Sequence, residues 1–177
     1  NAFFAAGESR IVGAPECGDL RVFCGALKKL GADLRQEENG DWILKGNPSP
    51  WPADQSEEEI ELDLESNGTA MRFLTALSVL RPGQTALKGE THRPVGPLVD
   101  ALKKLGADIQ YLGEPGYMPV KVKGGAIEGG RVVLQSALSS QFASALLLLA
   151  PHTQTGLQVR LVGPISSRPY IDLTATV

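Results

Sequence analysis

The sequence predicts an α/β fold built from repeated units, each with the element order βαβαββ. The first observation behind this prediction is an octapeptide, Ala-Leu-Lys-Lys-Leu-Gly-Ala-Asp, that starts at residue 26 and again at residue 101, 75 residues later. The second is that Arg93-Pro94 recurs 75 residues further on as Arg168-Pro169. Repetition at a fixed spacing is typical of one supersecondary unit that packs against further copies of itself.

Length and composition indicate a globular protein. A chain of 177 residues can bury a substantial core, and 42% hydrophobic with 21% charged residues excludes wholesale disorder. The formal net charge of −3 argues against a nucleic-acid partner. The longest apolar run, at residues 145–151, is shorter than the roughly 18 residues that span a bilayer, so no membrane segment is expected.

Cysteine and histidine usage bears on the compartment and on metal binding. Cys17 and Cys24 are the only cysteines, and His92 and His152 are the only histidines. Two isolated thiols fit a reducing compartment, so we expect a cytoplasmic protein. The four residues are not grouped as metal ligands are, and neither a metal nor a cofactor is expected.

Hydrophobic periodicity and breaker residues place the elements along the chain. Strands are predicted at residues 9–13, in a hairpin at 34–45, and at 60–64, 85–89, 109–112, 119–123, 131–135 and 158–162. Helices are predicted at residues 20–30, 70–80, 93–106 and 142–150, with a last one opened by residues 167–170. The helix at 142–150 is apolar all round, which predicts burial on every side.

Three details depend on single residues. Asp19 is expected to be the N-cap of the first helix. Asn39-Gly40 signals a type I′ turn in the hairpin. Pro94 is expected in the first turn of the helix at 93–106, where its missing N–H costs nothing.

The repeat also predicts a domain organisation. We expect a single domain with units at about residues 3–58, 59–125 and 126–177. Residues 3–7 have the pattern of a last helical turn without its beginning, and the helix opened at 167–170 lacks its end. Residues 46–59, rich in proline and acidic side chains, are interpreted as a surface connection. We therefore expect a truncated domain, cut from a longer protein.

Three predicted helix starts share short polar residues, Gly or Pro, and a nearby arginine. Unpaired N–H groups and the helix dipole make such a start favourable for an anion. Gly68 would allow close approach of a ligand to the backbone, and Thr69 and Arg72 share a helix face. Ser139, Ser140 and Gln141 offer hydrogen-bonding side chains ahead of the apolar helix.

Each of these features also has a plain structural interpretation. The starts at 68–69 and 139–141 are compatible with ordinary helix caps, and Arg93 and Arg168 with solvated side chains. His92 fits a surface loop, and Tyr170 fits packing with its hydroxyl available. Recurrence of such starts in repeated units favours a shared polyanionic ligand.

Four motifs in order resemble the EPSP synthase family (5-enolpyruvylshikimate-3-phosphate synthases, or 3-phosphoshikimate 1-carboxyvinyltransferases). They are Gly-Thr-Ala-Met-Arg-Phe-Leu at 68–74, Arg93-Pro94 with residues 98–102, Ser-Ser-Gln-Phe at 139–142, and Ser-Arg-Pro-Tyr-Ile at 167–171. The resemblance runs from residue 7 to residue 172. One departure is that the family's asparagine two places before Gly68 is Ser66 here, with Asn67 next to the glycine.

The resemblance implies one domain of the two-domain enolpyruvyl transferase fold, with substrates in the cleft between domains. It implies transfer of the enolpyruvyl group of phosphoenolpyruvate to shikimate 3-phosphate, with release of phosphate, in the shikimate pathway of aromatic amino-acid biosynthesis. The implied partners are these two anionic substrates and the missing second domain, in a monomeric full-length protein.

The resemblance also implies residue roles. Shikimate 3-phosphate would be bound by Ser139, Ser140, Gln141, Ser167 and Tyr170. Phosphoenolpyruvate would be bound in a pocket formed by Gly68, Thr69, Arg72, Arg93 and Gln141. No general acid or base can be assigned in these 177 residues, so the isolated chain is expected to be inactive.

Two alternatives to this interpretation are considered. The first is the related enolpyruvyl transferase that acts on UDP-N-acetylglucosamine; that family carries a reactive cysteine where this chain has Glu90-Thr91-His92. The second is a non-catalytic domain that binds phosphate or other anions.

Overall fold

The structure is a computed structural model and describes residues 1–51, 58–90, 92–135, 139–165 and 167–177. Short 3₁₀ helices lie at Ala2–Phe4 and Ala150–His152. The strands are β1 Gly7–Ile11, β2 Asp33–Gln36, β3 Trp42–Gly46, β4 Glu59–Asp63, β5 Gly83–Lys88, β6 Asp108–Tyr111, β7 Val120–Gly124, β8 Gly130–Gln135 and β9 Leu157–Val162. The helices are α1 Gly18–Lys29, α2 Gly68–Ser78, α3 Gly96–Lys104, α4 Ser140–Leu149 and α5 Arg168–Thr176.

The sheet topology confirms the predicted repeat. Strands β4, β5, β7 and β6 form one sheet in that order, with β4 and β5 parallel and β7 antiparallel to both its neighbours. With α2 and α3 they make a complete βαβαββ unit. The sheet with the strand order β1-β3-β2, together with α1, matches the second half of this complete unit. The parallel pair β8-β9, together with α4 and α5, matches its first half.

Helices α2 and α4 pack against each other inside the main core. Met71 and Leu74 of α2 and Phe142 and Leu146 of α4 are completely buried. The prediction that α4 is buried on every side is wrong for 147–148, which are only half-buried. The two buried helices carry the polar starts at 68–69 and 139–141, so the core fixes where those starts lie.

Two glycines at equivalent places in the repeat mark a close crossing of backbone. Gly124, at the end of β7, has no room for a side chain, because a Cβ would collide with the carbonyl oxygens of Ser78 and Arg81. Gly46, at the end of β3, would collide in the same way with carbonyl oxygens in the segment 2–5. Glycine at these two positions lets each sheet approach the preceding helical turn.

Four predicted helix starts are wrong by two or three residues: α1, α2 and α4 begin two residues earlier than predicted, and α3 begins three residues later. Cys17, not Asp19, is the N-cap of α1, and Asp19 lies in the first turn, where its charge favours the helix dipole. Helix α3 begins at Gly96, because Pro94 is held in a β-bridge with Tyr117 and cannot join the helix. The predicted type I′ turn is also wrong.

In the hairpin between β2 and β3, only Gly40 has a positive φ, of 86°, whereas a type I′ turn needs two such residues. The Asn39 side chain instead accepts a hydrogen bond from the Asp41 N–H at 3.0 Å.

The surface connection predicted at 46–59 lies partly outside the described residues. Within the described ranges, no helix combines the length and apolar character needed to cross a bilayer.

His152 is held against the ring of Phe4, with centroids 4.2 Å apart. Burial lowers the pKa of this imidazole. The unfolded chain therefore takes up a proton at higher pH than the folded protein does. Stability from this group is present above the unfolded pKa, about 6.5, and is lost as the pH falls towards the folded pKa.

Replacement of Gly124 by alanine should lower the free energy of unfolding by about 2–3 kcal/mol, because the added methyl group must displace backbone. Gly125→Ala is the matched control, since nothing lies within 4 Å of a Cβ at that position. Its effect should stay within about 0.5 kcal/mol. Denaturant unfolding followed by circular dichroism measures the free energy of unfolding of both variants. Equal losses in Gly124→Ala and Gly125→Ala would contradict the close backbone crossing at Gly124.

Lowering the pH from about 7.5 to about 5.5 should reduce the free energy of unfolding as His152 takes up its proton. His152→Gln should remove most of this pH dependence. His92→Gln, which changes an exposed loop residue, should leave it unchanged. If the free energy of unfolding of His152→Gln still falls as steeply with pH, a group other than His152 is responsible.

Candidate anion-binding site

Most of the predicted site residues line one cavity of about 820 Å³. It is lined by the starts of α2, α4 and α5 and by the segment before α3. The predicted residues that line it are Thr69, Arg72, Arg93, Ser139, Ser140, Gln141, Ser167 and Tyr170. Gly68 lies beside it, since a Cβ there would be 3.0 Å from guanidinium nitrogens of both Arg72 and Arg93. His92, by contrast, lies at a separate surface hollow.

Asn67 holds the start of α2 in place. Its Oδ1 accepts a hydrogen bond from the Ala70 N–H at 2.9 Å, which makes it the N-cap. Its Nδ2 donates to the carbonyl of Asp19 in α1 at 2.7 Å. Sequence reasoning missed this role, although an asparagine directly before the first helical residue is a recognised cap signal.

The starts of α4 and α5 present hydroxyl groups to the same cavity. Ser139 is the N-cap of α4, and its Oγ accepts a hydrogen bond from the Gln141 N–H at 3.3 Å. Ser167 precedes α5 with a left-handed backbone, φ 54°, and Tyr170 in the first turn is 65% exposed. Arg168 points away, to an exposed ion pair with Asp172 at 3.5 Å, as expected of a solvated side chain.

Arg72 is a buried cation in the wall of the cavity, only 7% exposed. Its Nη1 donates to the Gly68 carbonyl at 3.3 Å and to the Gln141 Oε1, and its Nη2 donates to the Pro94 carbonyl at 3.1 Å. Its guanidinium carbon lies 5.0 Å from the centre of the Phe142 ring. All these partners are neutral.

The electrostatics of the cavity favour an anion. Burial lowers the pKa of Arg72, and the charge of Arg93 lowers it further, yet a guanidinium stays protonated at neutral pH. Arg93 is half exposed and has a loose ion pair with Glu90 at 3.6 Å. Among the residues that the structure describes, no carboxylate lines this cavity. Two positive charges, hydroxyls and helix starts therefore converge on one space.

The same arrangement limits the chemistry available to these residues. The described lining residues offer hydrogen-bond donors and positive charge, and none of them is a carboxylate or a histidine that could move a proton. In the part of the chain that the structure covers, no group of His, Cys, Asp and Glu is arranged to hold a metal ion. The cavity is suited to bind and orient anions.

Comparison with known proteins shows the family that the chain resembles. A family profile described as EPSP synthase (3-phosphoshikimate 1-carboxyvinyltransferase) matches residues 1–177. A 3-phosphoshikimate 1-carboxyvinyltransferase from Sulfurovum sp. (strain NBC37-1) is 40% identical over 177 residues, which cover 98% of this chain and 41% of that protein. One from Marinomonas sp. (strain MWYL1) is also 40% identical, with the same coverage.

A solved structure extends the comparison to the fold. The EPSP synthase from Acinetobacter baumannii superposes with a TM-score of 0.79 and 25% sequence identity, over 96% of this chain and 38% of that one. The chain thus spans about two fifths of the length of the relatives it matches.

Inorganic phosphate should raise the unfolding temperature of the protein relative to chloride at equal ionic strength. At about ten times its Kd the stabilisation would be about 1.4 kcal/mol. Arg93→Ala should abolish the effect, because it removes the accessible guanidinium. Arg160→Ala, an exposed arginine on β9 outside the cavity, is the control and should retain it. Equal phosphate effects in both variants would exclude this cavity as the binding site.

Proposed function

The chain belongs to the EPSP synthase (3-phosphoshikimate 1-carboxyvinyltransferase) family, and on that premise we propose that it supplies one wall of an enolpyruvyl transferase site. In the proposed reaction, the enolpyruvyl group of phosphoenolpyruvate passes to the 5-hydroxyl of shikimate 3-phosphate, and phosphate leaves. The observation that carries the proposal is the convergence of Arg72, Arg93 and the polar helix starts on one cavity whose described lining residues include no acidic side chain.

The proposed roles divide the cavity between two anionic substrates. Gly68, Arg93 and Gln141 contact phosphoenolpyruvate, and Thr69 and Arg72 shape that pocket. Shikimate 3-phosphate is held by the α4 and α5 starts; these residues are Ser139, Ser140, Gln141 and Ser167, with Tyr170 near the transferred group. The separation supports this assignment, since the arginines lie at the α2–α3 side and the serines at the starts of α4 and α5.

The contribution of this chain to the reaction is electrostatic and geometric. Protonation of the methylene carbon of phosphoenolpyruvate makes C2 cation-like, and the substrate hydroxyl adds there and loses its proton. The tetrahedral intermediate then loses a proton from the new methyl group and expels phosphate, which restores the enol ether. Arg93 and the helix starts would stabilise charge on the phosphate and hold both substrates in register. The acid and base would come from a second domain, across a cleft.

The same premise extends to the organisation of the whole protein. We propose that the chain is one domain with units at about 3–58, 59–125 and 126–177. The full-length protein would be a cytoplasmic monomer without a cofactor or nucleic-acid partner. The family profile and the relatives favour this function over a UDP-N-acetylglucosamine transferase and over a non-catalytic anion-binding domain.

Arg93→Ala in the full-length protein that carries this chain should lower kcat/KM for phosphoenolpyruvate by about 100-fold, the loss of one charged contact. The rate of phosphate release in the presence of both substrates measures this loss, and Arg160→Ala is the control.

The 177-residue chain alone should bind shikimate 3-phosphate weakly, as measured by calorimetry. It should lose this binding in Gln141→Ala and should show no turnover. Turnover by the chain alone, or wild-type protein without activity, would refute the proposal.

A further inference from the structure

The amide of Gln141 has two possible orientations, and only one suits an anion. With Nε2 towards the cavity it offers an N–H donor, whereas with Oε1 in that place it would repel a phosphate or carboxylate oxygen. In the structure Oε1 accepts from Arg72, and Nε2 donates to Thr69 Oγ1 at 2.9 Å. Nε2 carries a second N–H, for which no described residue supplies an acceptor, and this N–H can donate to a ligand.

Arg72 is the group that decides this orientation. A guanidinium has donors only, so the amide oxygen must face it. The Thr69 hydroxyl both donates and accepts, so it tolerates either end of the amide. We propose that Arg72 is a positioning residue that fixes the Gln141 amide with its nitrogen available to the substrate, and that it acts through Gln141 rather than by binding substrate itself. Where substrates are concerned, this inference rests on the proposed function.

The contacts of Arg72 support a role in the wall rather than direct binding. Both terminal nitrogens are engaged, one with Gly68 and Gln141 and the other with Pro94. The remaining donor, Nε, has no partner among the described residues, but it is buried from solvent. The guanidinium that a substrate can reach is that of Arg93, which is 50% exposed.

A double-mutant cycle in the full-length protein tests the inference. Arg72→Met keeps apolar packing on Phe142 and removes the donors, and Gln141→Met removes the amide. Each should lower kcat/KM for phosphoenolpyruvate by about ten- to a hundredfold, and the double variant by no more than about threefold beyond the worse single one, because both changes remove the same oriented N–H. Losses that multiply would show that Arg72 binds substrate independently and would overturn the proposal.

A second measurement does not depend on activity. In the wild-type protein, the Gln141 side-chain N–H protons should give a nuclear Overhauser contact to the Thr69 methyl group. Arg72→Met should weaken or abolish it, and Arg160→Met, the matched control, should not. Arg72→Lys keeps a donor-only cation, so it should preserve the contact and restore most of kcat/KM. If the contact persists in Arg72→Met, the positioning role is wrong.

The two measurements separate the two proposals. Wild-type protein without turnover refutes the proposed function, and the amide contact still decides the role of Arg72. An active wild-type protein with an unchanged amide contact in Arg72→Met refutes the positioning role alone.

Discussion

A buried guanidinium that has no counter-ion among the described residues joins the segments that form the candidate site. Burying a charge costs several kcal/mol unless polar groups replace its hydration. The two terminal nitrogens of Arg72 donate to the carbonyls of Gly68 and Pro94 and to the Gln141 amide, and the guanidinium lies over the face of Phe142, while Nε has no partner among the described residues. These partners come from the starts of α2 and α4 and from the segment before α3. Arg72 therefore links three parts of the cavity whose helices the core already positions.

The repeated unit explains why those segments meet at all. In each parallel pair, β4 with β5 and β8 with β9, a helix follows each strand. The carboxyl ends of parallel strands lie at one edge of a sheet, so the helices that follow begin at that edge. The same topology used twice, packed through α2 and α4, brings four helix starts to one side. The close backbone crossings at Gly46 and Gly124 hold each sheet against the preceding turn.

Much of the fold follows from local pattern, because burial imposes a period on the sequence. The alternation that predicts a strand at 60–64 matches the complete burial of Leu62 and Leu64. Helix starts were predicted less well, since distant contacts decide them. Pro94 bridges to Tyr117, and this contact is invisible to any local pattern. Cys17 caps α1 through its extended backbone, without a side-chain hydrogen bond, so its residue type gives no cap signal.

The list of candidate site residues follows from motifs. The structure places all of them in the lining of one cavity except Gly68, which lies beside it, and their binding roles remain predictions. Sequence alone did not show how they hold one another. Arg72 and Gln141 are 69 residues apart, and Asn67 reaches a carbonyl 48 residues away. The tryptophans of this chain are similarly concentrated: Trp42 and Trp51 both lie in the first 51 residues, the latter donating its indole N–H to the Leu30 carbonyl at 2.7 Å. Tryptophan fluorescence therefore reports on α1 and its three-stranded sheet, whereas the fluorophore at the cavity is Tyr170.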